Sequence, residues 1–184
     1  GTKPCVVEID GIRLGITICE DIWHDGPVEE SAAAGANLVV NLTASPFHID
    51  KARERELQVV GQRAQRNILP IAYVNLVGGQ DELVFDGGSF VSDDKGKVTH
   101  RARFFEEQLV RVEFDESFCP VQGSISKMLN LEESVYQALV TGVGDYVKKN
   151  GFPGVVVGLS GGIDSALTLA IAVDALGHKK VQAI

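Results

Sequence analysis

The chain has 184 residues, 45% of them hydrophobic and 23% charged, with a formal net charge of −8. That is enough apolar matter for one or two packed domains, while the acidic balance argues against a nucleic-acid binder, which holds phosphates through clustered Lys and Arg. No apolar stretch reaches the ~18 residues of a membrane span, and no basic leader precedes an apolar core. Cys5, Cys19 and Cys119 are widely spaced, with no C-x-x-C pair and no histidine at zinc-ligand spacing, so a reducing cytoplasm is the expected setting.

In chain order, the hydrophobic pattern predicts a strand at Arg13–Cys19, a helix at Pro27–Ala36, a strand at Asn37–Thr43, a helix at Ile49–Asn67 and a strand at Leu69–Val77. This is a βαβαβ rhythm. Gly88–Ser92 and Lys97–Arg103 read as strands around the turn Asp93-Asp94-Lys95-Gly96, and Gln108–Phe114 as a further strand. Periodicity fails over 116–129, where Ser, Pro, Gly and Asp mark a linker between a domain over 1–115 and a second over 130–184. Asn130, three residues before Glu133, starts a capped helix that runs to Asn150-Gly151. Gly154–Gly158 reads as a strand buried on both faces, followed by a Gly-rich turn and a helix over Ala166–Leu176 closed by Gly177. The chain opens on Gly1-Thr2-Lys3 rather than Met and ends on the strand-like Val181-Gln182-Ala183-Ile184, so both ends read as fragment boundaries.

The turn Ser160-Gly161-Gly162-Ile163-Asp164-Ser165 places backbone N–H groups at a helix N-terminus, where a phosphate can sit. Ser160 and Ser165 add hydroxyl donors, and Asp164 can hold a magnesium ion. Two other readings stand beside this one: an ordinary capped βα turn, and a G-x-S-x-G nucleophile elbow at Gly158–Gly162. The elbow needs a later histidine, and His178 alone follows Ser160. The six residues are similar to the S-G-G-x-D-S signature of the PP-loop ATP pyrophosphatase family. That resemblance assigns Gly158, Leu159, Ser160, Gly161, Gly162, Ile163, Asp164 and Ser165 to ATP and Asp164 to magnesium.

Cys19 closes an apolar strand and is followed by Glu20-Asp21-Ile22-Trp23. Read alone, such a cysteine is inert core or a nucleophile at a sharp turn. With Asn41-Leu42-Thr43-Ala44-Ser45-Pro46-Phe47, it resembles the nitrilase (carbon–nitrogen hydrolase) family, in the form of the glutaminase half of glutamine-dependent NAD synthetases. The segment Val135–Gly177 resembles the synthetase half. The resemblance implies the C-terminal half of an αββα sandwich followed by the start of a Rossmann-like parallel-sheet PP-loop domain. It makes Cys19 the nucleophile on glutamine and makes Ser45 and Lys51 glutamine-binding residues. Read without it, Ser45 is a turn residue and Lys51 a solvated charge beside Arg53, Glu54, Arg55 and Glu56.

The implied activity is glutamine hydrolysis at Cys19, with the ammonia used to amidate ATP-adenylated deamido-NAD. The implied partners are these small molecules and copies of the same chain, with no nucleic acid and no membrane. In the nitrilase family a Glu base and a Lys precede the cysteine. Eighteen residues precede Cys19, and neither Lys3 nor Glu8 sits in a matching motif, so the 184 residues alone are expected to be inactive. Two other classes stay open: an inactive or interaction module, and an ATP-independent amidase or hydrolase.

Overall fold

The computed structural model describes residues 3–184. It opens on a hairpin of β1 (Cys5–Ile9) and β2 (Ile12–Ile18), closed by Asp10 and Gly11, both at positive φ. β2, β3 (Leu38–Thr43) and β4 (Ile71–Asn75) then run parallel, with Leu14 opposite Leu38 and Val39 opposite Ile71. Antiparallel β7 (Phe90–Ser92) and β8 (Val98–Arg101) complete a six-stranded sheet in the order β1-β2-β3-β4-β7-β8. The predicted βαβαβ rhythm is therefore present, with β1 as an additional strand. Between β4 and β7 a separate hairpin forms from β5 (Val77–Gln80) and β6 (Leu83–Asp86).

Side chains alternate across a strand, so Val39, Ile71 and Tyr73 share one face. There they pack with Ile22, Val28, Val59, Val60 and Ala64 into the core. The covering helices are α1 (Asp25–Ala33) and a continuous helical segment made of α2 (Lys51–Arg53), a π-helical stretch (Glu54–Val60) and α3 (Gly61–Asn67). Apolar side chains of the opposite phase, Ile18, Leu42, Val74 and Leu76, stay exposed.

The predicted strand at Gln108–Phe114 does not form, and Leu109 is 99% exposed. A strand needs a free edge, and the edge of β8 is occupied: Gly123 donates to Thr99, Arg101 to Ser124 and Ser126 to Arg101.

Helix α4 (Leu131–Lys149) begins as expected. Asn130 Oδ1 accepts the Glu133 amide (2.8 Å) and Glu133 accepts the Asn130 amide (3.1 Å). β9 (Val155–Val157) and β10 (Val181–Ala183) pair in parallel, linked by α5 (Ile163–Leu176). The expectation that β9 is buried on both faces fails. Among the described residues β10 is its one strand neighbour, and Val156 is 62% exposed. α5 also starts three residues earlier than the pattern predicts. No helix among the described residues is long and apolar enough to cross a membrane.

Candidate functional site

Three parallel strands that end side by side leave a crevice beyond their carboxyl ends, where α/β sheets commonly place ligands. Cys19 follows β2, Ser45 lies two residues beyond β3, and Asn75 is the last residue of β4. Cys19 has φ +47°. A non-glycine residue held there costs about 1–3 kcal/mol and persists where surrounding packing enforces it. Here the enforcing element is the 3-10 turn Cys19–Trp23, anchored by fully buried Ile22, by Asp21 Oδ2 accepting the Ile18 amide (2.8 Å) and by Arg63 donating to the Trp23 carbonyl (2.9 Å). The Cys19 thiol is half-buried and free. It does not end the strand, as the pattern predicts, but begins this turn. Glu8 pairs with Arg13 at the opposite end of β2, six residues from Cys19 or about 20 Å along a strand, which removes it as a base for the thiol.

Ser45 and Lys51 both lie at this end of the sheet. Lys51 Nζ stands 5.2 Å from the centre of the Trp23 ring, in the same turn as Cys19, a cation–π contact. Lys51 makes no ion pair among the described residues and is half-buried. Ser45 is buried within a polar network. Arg55 Nε donates to Ser45 Oγ (3.1 Å), and Arg55 Nη2 donates to the carbonyls of Ser45 (2.9 Å) and Pro46 (3.0 Å). Nη1 forms a two-oxygen ion pair with Asp86 (2.8 and 2.9 Å). Asn75 donates to Asp86 and Gly87 and accepts the Ser45 amide.

The helical segment explains how two adjacent charges come to be inside. In the π-helical stretch the bond closes at i→i+5, with Gly61 N–H donating to the Glu56 carbonyl. The widened turn swings both Arg55 and Glu56 inward, leaving them 2% and 4% exposed. Glu56 then receives Arg101 through two bonds of 2.6 and 2.7 Å. Gly96 permits the approach of the β7–β8 turn to this segment, since a Cβ there would lie 2.5 Å from the Gly61 oxygen. Lys51, which read without the resemblance is a solvated charge, is half-buried, and of the charged residues beside it Arg53 and Glu54 are exposed while Arg55 and Glu56 are buried.

Sequence reasoning did not single out Arg55, Asn75, Asp86 or Tyr73 as part of the site. Tyr73 is 1% exposed, and its hydroxyl lies by the side-chain hydroxyls of Ser45 and Thr43 without a well-aligned hydrogen bond among the described residues. Burial pushes the Tyr73 phenol up, against the opposing influence of Arg55 and of the nearby Ser45 and Thr43 hydroxyls.

The Gly-rich turn is a separate site. After β9, Leu159 N–H donates to Ile184 and the chain turns through Gly161 at φ +86° into α5, whose N-cap is Gly162. No side chain caps this helix, so donors at its first turn remain available to an anion. Ser165 Oγ donates to the Gly162 carbonyl (3.0 Å) and lies 3.1 Å from Ser160 Oγ. Gly158–Asp164 are all exposed, Ser165 is half-buried, and the Asp164 carboxylate takes no hydrogen bond or ion pair among the described residues. The nucleophile-elbow reading fails on distance. His178 follows the far end of α5, and fourteen helical residues span about 21 Å.

Residues 1–119 match the family described as carbon-nitrogen hydrolase, and residues 135–184 match NAD synthase. A glutamine-dependent NAD(+) synthetase from Xylella fastidiosa is 45% identical over 183 residues, covering 98% of this chain and 33% of that protein. The structure of glutamine-dependent NAD+ synthetase from Acinetobacter baumannii, solved with ADP, superimposes at TM-score 0.94 with 43% identity, over 100% of this chain and 35% of its own. An amidase from Nesterenkonia sp. of the nitrilase superfamily superimposes at TM-score 0.51 with 30% identity, over 56% of this chain and 38% of its own. The chain thus spans about a third of the length of the synthetases it matches. With the cysteine turn at the end of a parallel sheet and the family match over 1–119, this chain belongs to the carbon–nitrogen hydrolase family, followed by a segment of NAD synthase kind.

Proposed function

We propose that this chain works in glutamine-dependent NAD synthesis, with residues 1–115 serving the glutaminase, 116–129 linking, and 130–184 serving the synthetase. The observation that carries the reading is Cys19, strained at φ +47° at the start of the turn that Lys51 reaches. Its sulfur attacks the side-chain amide carbon of glutamine, ammonia leaves, and water hydrolyses the thioester to glutamate. Lys51 and Ser45 hold the substrate's polar backbone groups.

At the second site Gly158–Ser165 bind the phosphates of ATP, and the Asp164 carboxylate holds magnesium. Among the described residues no three His, Cys, Asp or Glu gather as a metal cage. A single free carboxylate suits magnesium, which takes most of its ligands from phosphates and water. The carboxylate of deamido-NAD attacks the α-phosphorus, pyrophosphate leaves, and ammonia displaces AMP to give the amide. Adenylation is needed because AMP is a far better leaving group than oxide, and the loop's N–H donors stabilise the pyrophosphate as it departs. The three free thiols fit a cytoplasmic setting, and assembly into homo-oligomers rests on the family resemblance.

The test is NAD formation by the full-length gene product. Cys19→Ala should abolish synthesis from glutamine while leaving synthesis from ammonia. Retained glutamine use in that variant would refute the assignment, and amide hydrolysis without ATP-linked NAD formation would point to a simple amidase. The 184-residue polypeptide alone should form no NAD.

A further inference from the structure

We propose that Asp145, on a helix within the stretch that matches NAD synthase, is a positioning residue of the glutamine site: it fixes the β5–β6 hairpin, and through the hairpin the loop that carries Ser45. This rests on the glutaminase reading of Cys19, Ser45 and Lys51.

Gly79 and Val84 stand opposite each other in the hairpin. In an antiparallel ladder, pairs that bond each other alternate with pairs whose N–H and C=O groups point outward, and the bonds they make place Gly79 and Val84 in the second kind. On one edge Gly79 gives both its groups to α4. Its N–H donates to Asp145 Oδ2 (2.8 Å), and its carbonyl accepts Lys149 Nζ. On the other edge the Val84 carbonyl accepts the Phe47 N–H (2.7 Å). Asp145 and Lys149 are four residues apart and so share a helix face, with their charged ends 3.5 Å apart. Glycines let the helix sit directly on the strand. A Cβ on Gly79 would lie 3.2 Å from Gly142 Cα and 3.3 Å from Asp145 Cβ, and one on Gly78 would lie 2.8 Å from Asp145 Oδ2. α4 is therefore seated on bare backbone, where the bonds to a single residue set the distance between hairpin and helix.

What the hairpin holds is the glutamine site. Phe47 follows Ser45 and Pro46, whose carbonyls accept Arg55. β6 ends on Asp86, which pairs with Arg55 (2.8 Å) and accepts Asn75 (3.2 Å). A shift of the hairpin relative to α4 thus moves Phe47 and Asp86 together, and Ser45 with them. The Cys19 turn stands on other supports, Ile22, Asp21 and Arg63, so the thiol stays in place while the substrate's seat moves. Loss of the Asp145 carboxylate is therefore felt as weaker glutamine binding rather than as slower chemistry.

The test assays the full-length gene product in two modes, NAD formation from glutamine and from ammonia. Asp145→Ala should raise KM for glutamine about threefold to tenfold, the net worth of one hydrogen bond, with kcat little changed, while ammonia-dependent synthesis keeps the parent rate. Asp145→Asn retains an oxygen to accept the Gly79 N–H and should restore the parent KM. A residue that served only the fold of its own helix would impair both modes alike. Equal losses in both modes, an unchanged KM for glutamine, or an Asn variant as impaired as the Ala variant would overturn the proposal. Should Asp145→Ala fail to fold, Lys149→Met, which loses the donor to the Gly79 carbonyl, decides. A raised KM for glutamine alone then supports the proposal, and a loss in both modes or in neither overturns it. A parent protein that forms NAD from ammonia and hydrolyses no glutamine removes the glutaminase reading itself, a result distinct from these.

Discussion

Replacing Asp86 with alanine should be among the most destabilising single changes in the chain. The Arg55 and Asp86 side chains are 3% and 4% exposed, and both Nη1 contacts of Arg55 are to Asp86. Removing one partner of a buried pair strands the other charge, at a cost of about 3–5 kcal/mol. Arg55→Met should cost at least as much, because it strands Asp86 and also deprives the Ser45 and Pro46 carbonyls of their donor, about 1 kcal/mol each. Combining Arg55→Met with Asp86→Ala removes both charges and leaves mainly those carbonyls unsatisfied. The double variant should lose only about 2–3 kcal/mol, well below the sum of the singles. Urea unfolding of the three variants and the parent, at equal m-values, measures this coupling. Additive losses, or an Asp86→Ala cost under about 1 kcal/mol as for an exposed pair, would refute the reasoning.

Gly96→Ala should destabilise by about 1–3 kcal/mol, since its Cβ would lie 2.5 Å from the Gly61 oxygen at φ +80°, an overpacking that repacking does not relieve; a thermal melt reads it. Gly161→Ala meets no atom within 4 Å, so stability should fall by only about 1 kcal/mol for the positive φ, while calorimetry should show weakened ATP binding. The Asn130 amide holds the Glu133 carboxyl below its ordinary value of 4.5, helped by Lys127. A depressed carboxyl contributes stability that is present above its unfolded value and lost as pH falls through the folded one. The α4 cap should therefore loosen in acid below the ordinary glutamate range. Glu133→Gln should flatten that part of the stability–pH profile.

The parallel centre of the sheet was legible because β2, β3 and β4 are apolar runs separated by stretches of helical period. β1 was not read, although Asp10-Gly11 between apolar runs carries the usual signal for a two-residue hairpin. The β5–β6 hairpin was hidden for a physical reason: Gly78 and Gly79 supply no side chains to alternate, and its turn runs through Asp81 at φ +51°. Cys19, Ser45 and Lys51 emerged through family resemblance rather than through pattern. Arg55 could not emerge from a helical wheel, because the π-helical stretch changes the phase at the residue that matters. Asp86 and Asn75 are adjacent to Arg55 only once β4 and β6 are folded.

The β5–β6 hairpin lies before the connector in sequence but is held from both sides. Phe47 N–H bonds Val84 on one side. On the other, Gly79 N–H donates to Asp145 (2.8 Å), Lys149 donates to the Gly79 carbonyl, and Gly142 of α4 packs against Val84 and Gly79. Covalent order and mechanical ownership therefore diverge. A protease nick between Asp115 and Asn130 would cut the polypeptide yet leave two pieces that co-purify, and a gene split at that connector would yield a first half with a bare glycine face and a second half whose long helix has lost its seat.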